Sequence, residues 1–77
     1  MIIIAHRGLT EGPSKELEND PTHILENISK YPNLINEVDV HLCSEGIFLG
    51  HDVKTHKINI DFLLDNKKYL ILHLKYI

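Results

Sequence analysis

The sequence predicts an α/β fold in which parallel strands carry polar groups at their carboxyl ends. A continuous apolar run, residues 1–5, leads into a His-Arg-Gly sequence, which is typical of a strand buried on both faces. Residues 35–42 alternate apolar and polar side chains, and residues 69–75 form a third strand-like run. A helical pattern separates the first two strands, and this order is typical of a parallel sheet.

Residues 1–77 are long enough for one small domain or for a piece of a larger one. The formal net charge of −3 gives no reason to expect a nucleic-acid partner. The single cysteine, Cys43, excludes an internal disulfide and favours a reducing compartment. Neither a signal peptide nor a membrane span is predicted, because the apolar runs are much shorter than the roughly 20 residues that a span needs. We therefore expect a cytoplasmic protein.

The first connection combines a loop with a short helix. Residues 9–19 contain glycine and proline without a clear period, which predicts a loop. Asp20 and Pro21 are typical of an N-cap and a first helical position, and Pro32 marks the end of the helix. Four apolar residues at helical spacing should pack on the sheet: Ile24, Leu25, Ile28 and Tyr31.

The central strand, residues 35–42, places three polar side chains on one face. With a period of two, Glu37, Asp39 and His41 share that face. The two carboxylates are roughly 7 Å apart and repel each other by about 2 kcal/mol at an effective dielectric constant near 20. Such a face is either solvated or offers its oxygens to a cation, and the strand alone leaves both alternatives open.

The chain then turns back and reaches a second histidine. Three loop residues, 44–46, end in glycine and predict a hairpin in which position 43 pairs with 47. That register pairs 39 with 51, so His51 should face Asp39. A one-residue change of register would place His51 on the other face.

The last third of the chain is predicted to contain a loop, a helical turn and a strand. Residues 53–59 are polar and basic, which predicts a loop, and Asn59 or Asp61 should cap the helical turn that follows. The final strand has His73 and Lys75 on one face. Because a parallel sheet needs a covering helix after such a strand, we expect the chain to be cut off at its end.

Four short motifs follow one another along the chain: Ile2-Ile3-Ile4-Ala5-His6-Arg7-Gly8, Glu18-Asn19, Glu37-Val38-Asp39 and Gly50-His51-Asp52. In this order they resemble the N-terminal part of the glycerophosphodiester phosphodiesterase family. The resemblance implies an incomplete (β/α) barrel of the TIM type, with about four strands and one or two helices instead of the full eight of each.

The resemblance implies a phosphoric diester hydrolase of lipid metabolism. Its substrate would be a small glycerophosphodiester, split into an alcohol and glycerol 3-phosphate. His6 and His51 would be the general acid and base, which suits imidazole near neutral pH. Glu37 and Asp39 would hold one divalent cation, and oxygen ligands favour Mg²⁺, Ca²⁺ or Mn²⁺.

The phosphate group and the third metal ligand involve the same final strand. Arg7 and Lys75 are the expected phosphate-binding residues, since guanidinium geometry matches phosphate oxygens. The family commonly has a glutamate two residues before that lysine, as a further metal ligand. Here the position is His73, which remains a candidate ligand for Mn²⁺ or Zn²⁺ but brings no negative charge.

A second class of function stays open. The chain would then be a truncated, non-catalytic remnant that binds metal or phosphate weakly, or that assembles with a partner chain, including a second copy of itself. Several residues also have simple structural explanations: Glu18-Asn19 as loop residues, His41 as a structural histidine and Cys43 as a small buried apolar residue.

Overall fold

The longest strand, β2 (Leu34–Cys43), is the centre of a five-stranded sheet. The computed structural model describes residues 3–10 and 12–76, with side chains up to residue 75. In this part the protein is a small mixed α/β domain with two α-helices. The other elements are β1 (Ile3–His6), α1 (Pro21–Lys30), β3 (Gly46–Leu49), β4 (His56–Ile58), α2 (Ile60–Asp65), a 3₁₀ turn (Lys67–Tyr69) and β5 (Leu70–Tyr76).

Three strands share the two edges of β2. β1 pairs in parallel with residues 34–37, and β3 pairs antiparallel with residues 40–43. β5 pairs in parallel with residues 36–42. Because β5 overlaps the segments paired with β1 and with β3, it occupies the opposite edge. β1 and β3 therefore lie end to end on one edge, and their carboxyl ends approach each other beside Val38 and Asp39.

The predicted register of the hairpin is wrong by one residue. Cys43 pairs with Gly46, and Val40 pairs with Leu49, so the loop has two residues instead of three. Gly46 has a φ of 132°, which a glycine adopts without the cost that a side chain would bring. Glycine thus enters β3 itself, whereas the sequence pattern placed it in the loop.

Helix α1 has the predicted start and end. The Asp20 side chain accepts a hydrogen bond from the Thr22 backbone N–H at 2.9 Å, and Pro21 is the first helical residue. Ile24 is fully buried, and Ile28 packs against the core. The predicted apolar stripe is nevertheless too wide, because Leu25 and Tyr31 are about half exposed.

The apolar core lies on one face of the sheet, so that the opposite face is left for polar side chains. Its buried members are Ile24, Val38, Val40 and Leu49, and Ile28, Ile47, Ile58, Phe62 and Leu70 pack around them. Ile47 and Ile58 belong to β3 and β4, and Phe62 comes from α2. Alternation along β2 directs Val38 and Val40 into this core and Glu37 and Asp39 to the other face.

Two further expectations for the strands are corrected. The first strand was expected to be buried on both faces, yet Ile3 and Ile4 are 60% and 54% exposed, because among the described residues β1 pairs only with β2. Met1 and Ile2 lie outside the described residues. Residues 56–58 were expected to be loop, but they form β4 because Ile58 pairs with Ile47 and reaches the core.

The expected last helix and strand are confirmed. Asn59 caps α2 by accepting a hydrogen bond from the Phe62 backbone N–H at 3.2 Å, and β5 follows with the expected parallel pairing. Within residues 3–10 and 12–76 the sheet does not close into a barrel. A cleft of about 680 Å³ lies beside the free edge of β1 and the end of α1, away from the polar face. No helix in the described part is long and apolar enough to cross a membrane.

Candidate functional site

The polar residues from distant parts of the sequence meet where β1 and β3 end. β1 delivers His6 beside Glu37, since these two residues are partners in the parallel ladder. β3 ends at Leu49, and the Gly50 backbone N–H donates to the Asp39 carbonyl at 3.2 Å. The chain then bends, so strand alternation no longer controls His51. This is why His51 reaches the Asp39 side chain although the predicted register is wrong.

Asp39 is the centre of the cluster, and its side chain is only 5% exposed. Its Oδ1 lies 3.1 Å from His73 Nδ1 and 3.9 Å from Lys75 Nζ, both from β5. Its Oδ2 lies 3.5 Å from His51 Nδ1 and 3.7 Å from Arg7 Nε. One buried carboxylate thus contacts side chains from β5 and from the segments that follow β1 and β3.

Asn19 fixes this carboxylate in place. Its side-chain amide donates to Asp39 Oδ2 at 3.0 Å, and its side-chain oxygen accepts from the Asp39 backbone N–H at 2.8 Å. Its own backbone N–H donates to the Arg7 carbonyl at 2.8 Å. Asn19 is fully buried with a φ of 57°, and Arg7 has a φ of 55°. Left-handed backbone at two non-glycine residues costs free energy and is found preferentially at functional sites.

Arg7 joins the loop before α1 to the segment after β3. Its Nη1 donates to Glu18 Oε2 at 3.1 Å, and its Nη2 lies 2.9 Å from His51 Nε2. A guanidinium group only donates hydrogen bonds, so His51 Nε2 must be the unprotonated, accepting nitrogen. The hydrogen-bond network therefore assigns the proton of neutral His51 to Nδ1, which faces Asp39.

A second imidazole is paired with the second carboxylate. His6 Nδ1 donates to Glu37 Oε1, so the Nε2 of His6 is the nitrogen directed away from this pair. The His6 side chain is 68% exposed, in contrast to His51, which is half-buried. Each carboxylate of β2 thus lies beside the Nδ1 of one histidine: Glu37 accepts a hydrogen bond from His6, whereas Asp39 Oδ2 is 3.5 Å from Nδ1 of His51, which has no hydrogen-bond partner.

The bend at Gly50 depends on the absence of a side chain. A Cβ at Gly50 would lie 1.9 Å from the Val53 carbonyl oxygen and 2.9 Å from the Thr55 backbone nitrogen. Buried His41 donates its Nε2–H to the Gly50 carbonyl at 2.8 Å. His41 therefore supports the bend that carries His51 and does not contact the Asp39 carboxylate, in agreement with its expected structural role.

The surroundings of Asp39 favour its ionised form. Burial raises the pKa of Asp39, but the hydrogen bond from Asn19 and the nearby Lys75, His51 and His73 together lower it. The net pKa is below the ordinary value of an aspartate. Asp39 is therefore a fixed negative charge at neutral pH.

A divalent cation at β2 would depend on the carboxylates of its polar face. Within the described residues no three His, Cys, Asp or Glu side chains form a group that could hold a metal ion. Glu37 and Asp39 are nevertheless oxygen donors of the type that Mg²⁺ prefers, and Mg²⁺ is commonly bound by one or two carboxylates together with substrate phosphate oxygens. With neutral histidines, the carboxylates of Glu18, Glu37 and Asp39 also exceed the cations Arg7 and Lys75 by one charge.

Comparison of the chain with protein-family models, curated proteins and solved structures finds no significant match. The fold and the geometry of the cluster are therefore the observations on which a function can be argued.

All seven residues that the sequence singles out lie in this region. Asp39 contacts Arg7, His51, His73 and Lys75 directly. His6 and Glu37 form a separate pair one alternation earlier along β2.

Four other polar residues matter more in the structure than the sequence pattern indicates. A loop role explains Glu18 and Asn19 equally well from the sequence, yet both residues belong to the cluster. Asn27 donates to the Gly8 carbonyl at 2.7 Å and to Asn36 Oδ1 at 3.1 Å, and both asparagines are buried. The available signal was a polar residue at a core-facing position: Asn27 lies three residues after Ile24 on α1, and Asn36 shares its strand face with Val38.

Proposed function

We propose that the protein is a phosphodiester hydrolase related to the glycerophosphodiester phosphodiesterase family. Three parallel strands in sequence order, β1, β2 and β5, with the polar cluster toward their carboxyl ends, support a relationship to the first part of a TIM-type barrel. The proposed substrate is a small glycerophosphodiester, which gives an alcohol and glycerol 3-phosphate.

The pairing of two imidazoles with two neighbouring carboxylates carries the proposal. Glu37 holds Nδ1 of His6, and Asp39 lies 3.5 Å from Nδ1 of His51. A carboxylate at Nδ1 orients an imidazole and stabilises its protonated form, which leaves Nε2 for proton transfer. Since the network leaves His51 Nε2 unprotonated, we assign His51 as the general base and His6 as the general acid.

The reaction requires one proton to be accepted and one to be donated. An attacking hydroxyl oxygen forms a bond to phosphorus while its proton passes to Nε2 of His51. The bond from phosphorus to the leaving alcohol breaks as protonated His6 gives its proton to that oxygen. The resemblance implies that the first attacking group is the substrate's own glycerol hydroxyl, and that water opens the resulting cyclic phosphate with the two histidines in exchanged roles.

Cationic side chains would neutralise the phosphodiester. Arg7 and Lys75 are each 25% exposed by side chain and lie at the cluster. Glu37 and Asp39, with His73 as a further candidate ligand, would hold a divalent cation, which when bound supplies Lewis-acid stabilisation of a phosphate oxygen. Of the two carboxylates, Glu37 is less buried than Asp39 and is therefore the more accessible ligand.

The test measures release of glycerol 3-phosphate from a glycerophosphodiester with Mg²⁺, Ca²⁺ or Mn²⁺ and after chelation. His6→Gln and His51→Gln should each lower the rate by about 10²–10⁴-fold, the usual contribution of general acid–base catalysis. His23→Gln, on α1 outside the cluster, is the matched control. Activity that is unchanged by both cluster substitutions would refute the assigned acid–base pair.

A second candidate is phosphate binding without turnover. It is favoured by the contacts of Asp39, whose two oxygens already face Arg7, His51, His73 and Lys75 and are not open to solvent. Isothermal titration with inorganic phosphate and with Mg²⁺ discriminates between the two functions. Binding without product release supports this second candidate, whereas turnover by the isolated chain contradicts it.

A further inference from the structure

We propose that Arg7 covers the reactive nitrogen of His51 in the free protein, and that a bound phosphate group uncovers it by drawing Arg7 away. The proposal deepens the function proposed above and depends on it only for the role of His51 as base. It adds a device by which the substrate itself makes the base available.

Arg7 already contacts other residues through two of its three guanidinium nitrogens. Nη1 is directed to Glu18 at 3.1 Å and Nη2 to His51 at 2.9 Å, while Nε is buried without a hydrogen-bond partner. A guanidinium group has five N–H groups and binds phosphate best through two parallel ones, from Nη1 and Nη2 or from Nη2 and Nε. Both pairs include Nη2, so a phosphate that binds Arg7 bidentately bonds the nitrogen that now contacts His51.

Of the two partners of Arg7, Glu18 is held more strongly. The bond to Glu18 joins two full charges of opposite sign, whereas the bond to His51 joins a charge to a neutral acceptor, so the Coulomb attraction is greater toward Glu18. Neutral His51 is therefore the weaker partner of Arg7. An incoming phosphate should take Nη2 together with Nε, and Glu18 should keep Nη1. The lone pair of His51 Nε2 then faces the bound group instead of the guanidinium.

One other group lies near Nε2 of His51. Asp52 Oδ1 lies 3.5 Å from it, but the Asp52 side chain is 88% exposed. A carboxylate accepts hydrogen bonds, so it would bind Nε2 only if Nε2 carried a proton. Arg7 could not donate a hydrogen bond to a protonated Nε2. The shorter Arg7 contact is thus the one that the network satisfies, and it keeps the base blocked until Arg7 moves.

Chemical modification measures the cover without any need for turnover. Diethyl pyrocarbonate acylates unprotonated imidazole, and peptide mass mapping reads each histidine separately at a fixed, mildly alkaline pH. Arg7→Met should raise the acylation rate of His51 by about two- to tenfold, the factor set by losing one hydrogen bond of typical strength. The acylation rate of His23 should not change. Lys68→Met removes an equal charge from an exposed position and should leave the acylation of His51 as slow as in the wild type.

Arg7→Lys separates the hydrogen bond from the charge. Lysine keeps the positive charge, but its single ammonium group should stay with Glu18 and leave His51 exposed, as in Arg7→Met. If His51 is acylated as slowly in Arg7→Lys as in the wild type, the assignment of the cover to Nη2 is wrong. A His51 that already reacts as fast in the wild type as in Arg7→Met would overturn the cover altogether.

Nitrogen-15 NMR of the wild-type imidazoles provides a measurement that needs no variant. His51 should show protonated Nδ1 and bare Nε2, and a protonated Nε2 would overturn the proposal. Inorganic phosphate should shift the Nε2 resonance of His51. No response of that resonance at saturating phosphate, whether phosphate binds elsewhere or does not bind, would overturn the displacement. If His51 is covered but the chain hydrolyses no glycerophosphodiester, only the proposed enzymatic activity is refuted.

Discussion

Asp39→Asn is the substitution that tests the geometry of the cluster most directly. Asparagine has the size of aspartate, so the change removes a charge and replaces one acceptor oxygen by a donor. Because Asp39 is held by Asn19 and faces Arg7, His51, His73 and Lys75, the effect should appear in the stability of the whole domain.

The expected loss of stability is about 2–5 kcal/mol. An amide nitrogen at Oδ2 would meet the side-chain amide of Asn19, and at Oδ1 it would face the Lys75 ammonium 3.9 Å away, so either orientation sets a buried donor against another donor at a cost of about 1–3 kcal/mol. Losing the attraction to half-buried Arg7 and Lys75 adds about 0.5–1 kcal/mol each, after screening by solvent. A domain of this size has roughly 4–12 kcal/mol in total, so the variant should be close to unfolding.

The stability difference should also depend on pH. The pKa of Asp39 is lower in the folded chain than in the unfolded one. Its contribution is therefore fully present above the ordinary carboxyl range and is lost as the pH falls through the folded pKa. Since asparagine does not titrate, the wild type and Asp39→Asn should become more similar in stability as the solution is made acidic.

The assay is urea denaturation followed by circular dichroism, at neutral and at acid pH. Asp52→Asn is the matched control, because it removes the same charge from a neighbouring side chain that is 88% exposed, and it should leave stability nearly unchanged. A loss below about 0.5 kcal/mol for Asp39→Asn at neutral pH, within the range of ordinary surface substitutions, would refute the buried cluster. A difference that does not change with pH would refute the assigned pKa.

Two further substitutions test how the site is supported. Gly50→Ala should lower the free energy of unfolding by about 1–3 kcal/mol, since the new Cβ meets the backbone carbonyl of Val53 at 1.9 Å; urea denaturation with unchanged stability would contradict the described bend. Asn27→Ala should cost about 1–3 kcal/mol, because it leaves the Gly8 carbonyl and Asn36 Oδ1 without their buried donor; hydrogen exchange should show faster opening of α1, and unchanged exchange would contradict the network.

Much of the secondary structure could be predicted from the sequence because its signals are local. The cap at Asp20 and the proline at 21 place the start of α1, and strict alternation identifies β2. Alternation also predicts that Glu37 and Asp39 share a face, because side chains in a strand point to opposite sides with a period of two. These features depend on neighbouring residues alone.

Local pattern was insufficient wherever pairing between strands decides the outcome. The hairpin register differs by one residue, and residues 56–58 became a strand because Ile58 found Ile47 across the sheet. The exposure of Ile3 and Ile4 likewise depends on which partners β1 has, which no pattern within β1 specifies.

The sequence by itself determined which chemical groups are present and on which elements they lie: the histidines at the end of β1 and after β3, the carboxylates on β2, and the cationic residues near them. Only the tertiary structure decided their partners. β1 and β3 meet end to end on one edge of β2, and the buried Asn19 fixes Asp39 between them. The physical reason is that hydrogen-bond partners and burial are set by residues distant in the chain, whereas propensity and alternation act only over neighbours.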